Sequence, residues 1–243
     1  MIGAWEGERL VDQFRLETNG HRTADEWGML CHLALRGRGV EPERIQAVVV
    51  SSVVPPLQNT LEAMSKRYFK TRPLFVGPGI KTGMPILYDD PREVGADRIV
   101  NAVAAYHRWP GPLIVVDFGT ANTFDVVTER GEYYGGAISP GISIAVQALS
   151  RSASRLPRVD LDRPARAIGK NTAHSMQSGI IYGYAAMVDG LCERLAEELG
   201  GPAPKVVATG GLARLIAEAS RSISEVDEFL TLVGLRLIYE INR

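Results

Sequence analysis

The chain has 243 residues, 45% of them hydrophobic and 23% charged, with a formal net charge of -1. That composition suits a globular protein with one large core or two modest ones and argues against disorder. The balanced charge, with no stripe of interleaved basic and aromatic residues, excludes nucleic acid as the expected partner, and no apolar run reaches the roughly 18 residues of a membrane span.

Met1–Trp5 and Leu10–Leu16 flank a Gly7-containing turn and read as a hairpin. Residues 22 to 37 follow as a helix, with Thr23 and Glu26 spaced as a capping box and Trp27, Leu30, Cys31 and Ala34 on one face. Ile45–Val50 is a continuous β-branched run, the pattern of a strand buried on both faces of a parallel sheet. A helix is expected from about Pro56, with Leu57, Leu61 and Met64 inward, then a strand over Pro73–Val76 and a helix over Gly95–Tyr106. The breaker set Pro110, Gly111, Pro112 marks a domain boundary, giving domains of 1–111 and 112–243. Beyond it come the apolar strand Leu113–Val116, a meander through Thr123–Thr128 and Tyr133–Ile138, and helices at about 141–152 and 173–199. A strand over Val206–Ala208 then enters Thr209, Gly210, Gly211 and another helix. Each half mixes antiparallel strands with helical crossovers, a weak echo of a duplicated α/β unit.

Cys31 and Cys192 lie far apart in helix-like apolar patterns, which fits reduced thiols and a cytoplasmic location rather than a disulfide framework. Met1–Glu8 carries two acids and no basic start before an apolar block, so no export signal is expected. His21, His32, His107 and His174 share no metal-ligand spacing.

Three clusters could carry chemistry. In Asp117–Thr123, directly after a buried strand, an acid could hold a cation, Gly119 would let backbone amides approach a phosphate, and Thr120 and Thr123 offer hydroxyls; a plain hairpin turn explains the same residues. In Gly95, Ala96, Asp97, Arg98, the carboxylate could take a proton from a substrate hydroxyl and Arg98 could pair with an anion, or Asp97 could be an ordinary helix N-cap. The upstream Tyr88–Pro91 segment reads as a binding loop or a turn. In Thr209–Ala213, Gly210 and Gly211 allow a flat adenine to lie against the backbone, or allow close strand-to-helix packing.

Together these clusters resemble the phosphate and adenosine elements of the acetate kinase, sugar kinase, Hsp70 and actin superfamily. Within it, the chain is similar to type III pantothenate kinases in RTADEW (22–27), SSVVPP (51–56), VGPG (76–79), DPREVGADRIVN (90–101), VDFGTANTFDV (116–126), GGAISPG (135–141), GKNTAHSMQSG (169–179) and ATGGLA (208–213). The resemblance implies an α/β fold of two duplicated ribonuclease H-like domains and ATP-dependent phosphorylation of pantothenate, the first step of coenzyme A biosynthesis. It implies Asp97 as the base, with Tyr88, Gly95, Ala96, Arg98 and Thr172 holding pantothenate. It further implies Asp117 on a monovalent cation, potassium or ammonium, Thr120 on the nucleotide, magnesium with ATP, and a homodimer with the pantothenate pocket at its interface. A regulatory protein of the same fold, similar to Bvg accessory factors, is the other class to weigh.

Family members open with a buried strand running into an Asp-Gly-Asn-Thr phosphate loop, and nothing before Gly3 matches it. Without it the first domain would be N-terminally incomplete, with exposed strand edges and no main triphosphate cradle. The intact downstream motifs lead us to expect that Met1 is an internal methionine and the start is assigned late, rather than that the polypeptide is defective.

Overall fold

The computed structural model describes residues 1–54, 56–153 and 156–243. Pro55 of the SSVVPP block lies outside the described residues. The chain divides into two compact units: Met1–Gly83 with Asp90–Val103 and Thr231–Arg243, and Met84–Asp89 with Ala104–Leu230.

The first unit opens on the expected hairpin, β1 (Ile2–Glu6) antiparallel to β2 (Arg9–Phe14), turned at Gly7. Helix α1 (Ala24–Arg36) starts with the capping box read from sequence: Thr23 Oγ1 accepts from Glu26 N–H at 3.2 Å, and Glu26 Oε2 accepts from Thr23 N–H at 2.7 Å. Its inward face supplies Trp27, Cys31 and Leu35 to a core with Ala4, Phe14, Met64 and Phe69. The strand expected over Ile45–Val50 is shorter and shifted. β3 spans Val49–Ser51 and, among the described residues, pairs in parallel with β4 (Leu74–Val76) alone. Pro73, just before β4, has no N–H to extend the ladder, and Ile45–Val50 is nowhere fully buried. Between the two strands, α2 (Leu57–Met64) turns Leu57 and Met64 inward and runs on into a π-helical turn, Ser65–Phe69. Helix α3 (Ala96–Arg108) is apolar on more than one side, with Val100, Ala102, Ala104 and Ala105 all fully buried.

The second unit is built on a five-stranded sheet of β5 (Leu113–Phe118), β6 (Ala121–Val127), β7 (Tyr133–Pro140), β8 (Lys205–Gly210) and β9 (Glu225–Val226), in the order β7-β6-β5-β8-β9. β5 is central, antiparallel to β6 and parallel to β8. Alternation along the strands sends Ile114, Val116, Phe118, Phe124 and Val126 to one face, where they pack with Met176, Ile180, Ile181, Val188 and Cys192 of the long helix α5 (Thr172–Leu199). A side chain such as Phe124, buried completely, contributes about 1.5–3 kcal/mol. Helices α4 (Ile142–Ser152) and α6 (Ala213–Ala217) complete the unit.

The last helix, α7 (Leu230–Asn242), belongs from Thr231 onward to the first unit. It approaches closely there: a Cβ on Gly234 would stand 2.1 Å from Val100 O, and one on Gly3 would stand 2.8 Å from a Leu232 methyl. Thr231 Oγ1 donates to Asn101 Oδ1 at 2.7 Å, and Asn242 bonds the backbone of Lys81 in both directions. Among the described residues no helix is long and apolar enough to cross a membrane.

Candidate functional site

In the first unit, the segment before α3 is stiffened by Asp90, which accepts from the backbone N–H of Arg92 at 3.0 Å and pairs with its guanidinium at 2.8 Å. Both contacts, the Arg92 side chain first, hold the Asp90 carboxyl below the ordinary range. Arg98 and Ile99 then donate N–H groups to Gly95 O, closing the first turn. Asp97 is therefore the second residue of the helix and not its N-cap, which corrects one reading of the sequence. Its Oδ1 accepts from Arg98 N–H at 2.9 Å. Gly95 makes room for that carboxylate, since a Cβ there would lie 2.6 Å from Asp97 Oδ1. A carboxylate in a first turn is favoured by the unpaired amides and the positive end of the helix dipole. Asp97 remains partly exposed and able to meet a solute, while Ala96 and Arg98 are buried at 9% and 6% exposure.

In the second unit, the strand register gathers the other predicted residues. Asp117 lies opposite Thr209 and Phe118 opposite Gly210 in the parallel β5/β8 pair. Gly210, with φ of 94°, has no side chain where a Cβ would stand 2.6 Å from both Asp117 Oδ1 and Phe118 O. Gly119 donates its N–H to Ala121 O at 3.2 Å, so Gly119 and Thr120 form a tight exposed turn between β5 and β6. That turn rests on the start of α4: a Cβ on Gly141 would stand 2.1 Å from Thr120 O and 2.7 Å from Gly119 O. Thr209 and Gly210 belong to β8 itself, and Gly211 begins the turn into α6.

The Tyr88 segment is pinned to the start of β7. Ile86 makes a parallel bridge to Tyr133, Leu87 N–H donates to Tyr133 O and Tyr133 N–H to Pro85 O, each at 2.8 Å. Tyr88 is half-buried, its ring 6.4 Å from that of Tyr133. Thr172 is the exposed first residue of α5, whose N-cap Asn171 accepts from His174 N–H at 2.8 Å. The structure thus brings Asp117, Gly119, Thr120 and Gly210 to one end of the second unit's sheet, and Gly95, Ala96, Asp97 and Arg98 to one helix start in the first.

Chemically, the β5/β8 end offers a carboxylate, backbone carbonyls and hydroxyls beside an exposed turn. Among the described residues no three His, Cys, Asp and Glu side chains cluster as a metal site, so a cation at Asp117 would complete its shell from carbonyl and hydroxyl oxygens, a donor set suited to hard ions.

A sequence profile of the type III pantothenate kinase family matches residues 1–194. The chain belongs to the type III pantothenate kinases. The relative from Myxococcus xanthus so named is 61% identical over 242 residues, covering 100% of this chain and 94% of its own. That from Geobacter sulfurreducens is 56% identical over 243 residues, covering 100% of this chain and 95% of its own. Among solved structures, a conserved Baf family protein from Campylobacter jejuni superposes with a TM-score of 0.56 at 21% identity, over 82% of this chain and 84% of that one, a likeness of fold alone. The type III kinase blocks read from sequence coincide with the turns just described: DPREVGADRIVN enters α3, VDFGTANTFDV is the β5/β6 hairpin, and ATGGLA is the β8/α6 turn.

Sequence reading passed over Asp125 and Tyr133. Both are fully buried and hydrogen-bonded to one another. Alternation along β6 does place Asp125 on the face of Thr123, so one signal was present.

Proposed function

We propose that this chain transfers the γ-phosphoryl group of ATP to the primary hydroxyl of pantothenate, giving 4'-phosphopantothenate, the first intermediate on the way to coenzyme A. The observation that carries the site assignment is the end of the β5/β8 pair, where the missing Gly210 side chain lets Asp117 Oδ1 and Phe118 O pack against the Gly210 backbone beside the exposed Gly119–Thr120 turn. Phosphoryl transfer asks little covalent chemistry of a protein and depends on positioning and charge stabilisation. An oxygen-lined end of a rigid sheet beside a glycine turn supplies both.

In this reading Asp97 accepts the hydroxyl proton as pantothenate attacks, and its partial exposure leaves it open to the acceptor. Gly95, Ala96, Arg98, Tyr88 and Thr172 form the acceptor site. Thr120, Gly119, Gly210 and Gly211 hold the nucleotide, and Asp117 a monovalent cation, potassium or ammonium. Magnesium arriving with ATP would neutralise charge on the phosphates. Each unit is one ribonuclease H-like half of a duplicated fold. The protein works as a cytoplasmic homodimer, a reading supported by exposed Ile138 on β7 and Ile144 and Leu149 on α4, apolar side chains suited to a subunit contact.

A regulatory protein without catalysis is not favoured, because relatives at 61% and 56% identity are named kinases and Asp97, Asp117 and Thr120 are all present. A coupled assay for ADP, with pantothenate or no acceptor and with or without potassium, tests the proposal. Pantothenate-dependent ADP formation that rises with potassium is expected; ADP formation indifferent to pantothenate would refute it.

A further inference from the structure

Asp125 is a carboxylate of the β5/β6 hairpin whose burial demands an account. Its carboxylate is completely inaccessible to solvent, and a buried carboxylate is tolerated only when hydrogen bonds replace its lost hydration. Each oxygen accepts a hydroxyl: Tyr133 Oη donates to Oδ1 at 2.8 Å and Thr123 Oγ1 to Oδ2 at 3.1 Å. The two donors lead in opposite directions. Thr123 sits directly across the ladder from Asp117. Tyr133, also fully buried, carries on its backbone the bridge to Ile86 and the two bonds that pin Pro85 and Leu87, with Tyr88 next along. Gly136, opposite Asp125, brings no side chain against the carboxylate, and the Tyr88 ring lies beside Gly135, 3.8 Å from where a Cβ there would stand.

We propose that Asp125 is a positioning residue, which through the Tyr133 and Thr123 hydroxyls fixes the Tyr88 loop to the strand pair that carries Asp117. The inference rests on the kinase reading, in which Tyr88 meets pantothenate and Asp117 lies on the nucleotide side. A core brace would need only shape, and an apolar side chain of similar size could supply it. Two hydroxyls converging on one buried carboxyl instead fix direction, because a hydrogen bond weakens steeply as its angle departs from linearity. The Tyr88 ring is thereby set from the same carboxylate that orients Thr123.

The test compares wild type with Tyr133→Phe, Thr123→Val, Thr123→Ser and the double variant Tyr133→Phe/Thr123→Val. Three quantities are read: KM for pantothenate, KM for ATP, and the rise in melting temperature that pantothenate produces without turnover. Losing one bond to the buried carboxyl should raise the pantothenate KM about tenfold in Tyr133→Phe while the ATP KM stays within about twofold. The pantothenate-induced rise in melting temperature should shrink in parallel. Thr123→Ser, which keeps the hydroxyl, should behave as wild type, and the double variant should lose far less than the product of the single losses. Variants that melt earlier yet keep the wild-type pantothenate KM and thermal rise would reduce Asp125 to a structural brace and overturn the inference. A wild type showing neither pantothenate-dependent turnover nor a thermal rise would instead overturn the kinase reading beneath it. Should Tyr133→Phe fail to fold, Thr123→Val read against Thr123→Ser carries the same comparison.

Discussion

Gly210 cedes the place of its own side chain to Asp117: a Cβ at that position would stand 2.6 Å from the carboxylate Oδ1 and equally close to Phe118 O. The backbone there also has φ of 94°, a conformation that side-chain-bearing residues adopt only with strain. Gly210→Ala should therefore cost about 1–3 kcal/mol in stability from strain and overpacking, and should depress turnover more than that loss explains, since the displaced group is Asp117. Denaturant melts set beside the ADP assay check both halves. Wild-type stability in the variant would show that the strand ends relax freely.

Asp97 separates its two readings by magnitude. As the second residue of α3 it contributes through the helix dipole, about 0.3–1 kcal/mol. As a general base it contributes about 100- to 10,000-fold in rate. Asp97→Asn should lower kcat within that range while the melting curve moves only slightly, and a similar small loss in both would leave it a helix-start residue.

The two cysteines give a prediction on pH. Burial pushes the Cys31 thiol up to about 11, and burial together with the nearby Asp189 charge pushes Cys192 up to about 12. Native thiols should react slowly with a disulfide reagent at pH 8, and both should be released on unfolding. Because the unfolded thiols lose protons near their ordinary pKa while the folded ones keep theirs, stability should fall as pH climbs from about 8.5 through the folded values. Rapid titration of either thiol in the native protein would contradict their enclosure.

Asp189 of α5 anchors the turn after α6. It accepts from Ser220 Oγ at 2.6 Å and from the N–H groups of Arg221 at 2.9 Å and Ser222 at 3.0 Å. Burial works to raise its pKa, but the bonds from Ser220, Ser222 and Arg221 outweigh it and hold the carboxyl low. A depressed acid adds stability above its unfolded value, and that addition is lost as pH falls through the folded value. Asp189→Ala should cost about 1–3 kcal/mol at pH 7, with the gap to wild type closing below about pH 4. A gap that persists into acid would point to packing instead.

Sequence periodicity carried most of the fold. The capping box at Thr23, the apolar strand beginning at Leu113 and the meander after it were all legible because each is set by neighbours close in the chain. Ile45–Val50 misled because β-branching promises a strand, while its length was set by a short distant partner that opens only after Pro73. The motif residues were legible as names, but not their geometry. Asp97 reads equally well as cap or second residue until Gly95 is seen closing the turn. The closeness of Gly210 to Asp117 exists only through the pairing of β5 with β8. Asp125 escaped for a similar reason, since its partner Tyr133 arrives from the next strand across an irregular register.

The placement of α7 bears on how the polypeptide is made. The second unit draws almost all its residues from one uninterrupted stretch, 104–230, whereas the first waits for Thr231–Arg243 to supply Leu232 and Ile238. A chain leaving the ribosome can complete its later half while its earlier half still lacks a wall. Amide exchange during refolding should accordingly protect β5 and β6 ahead of β1 and β2.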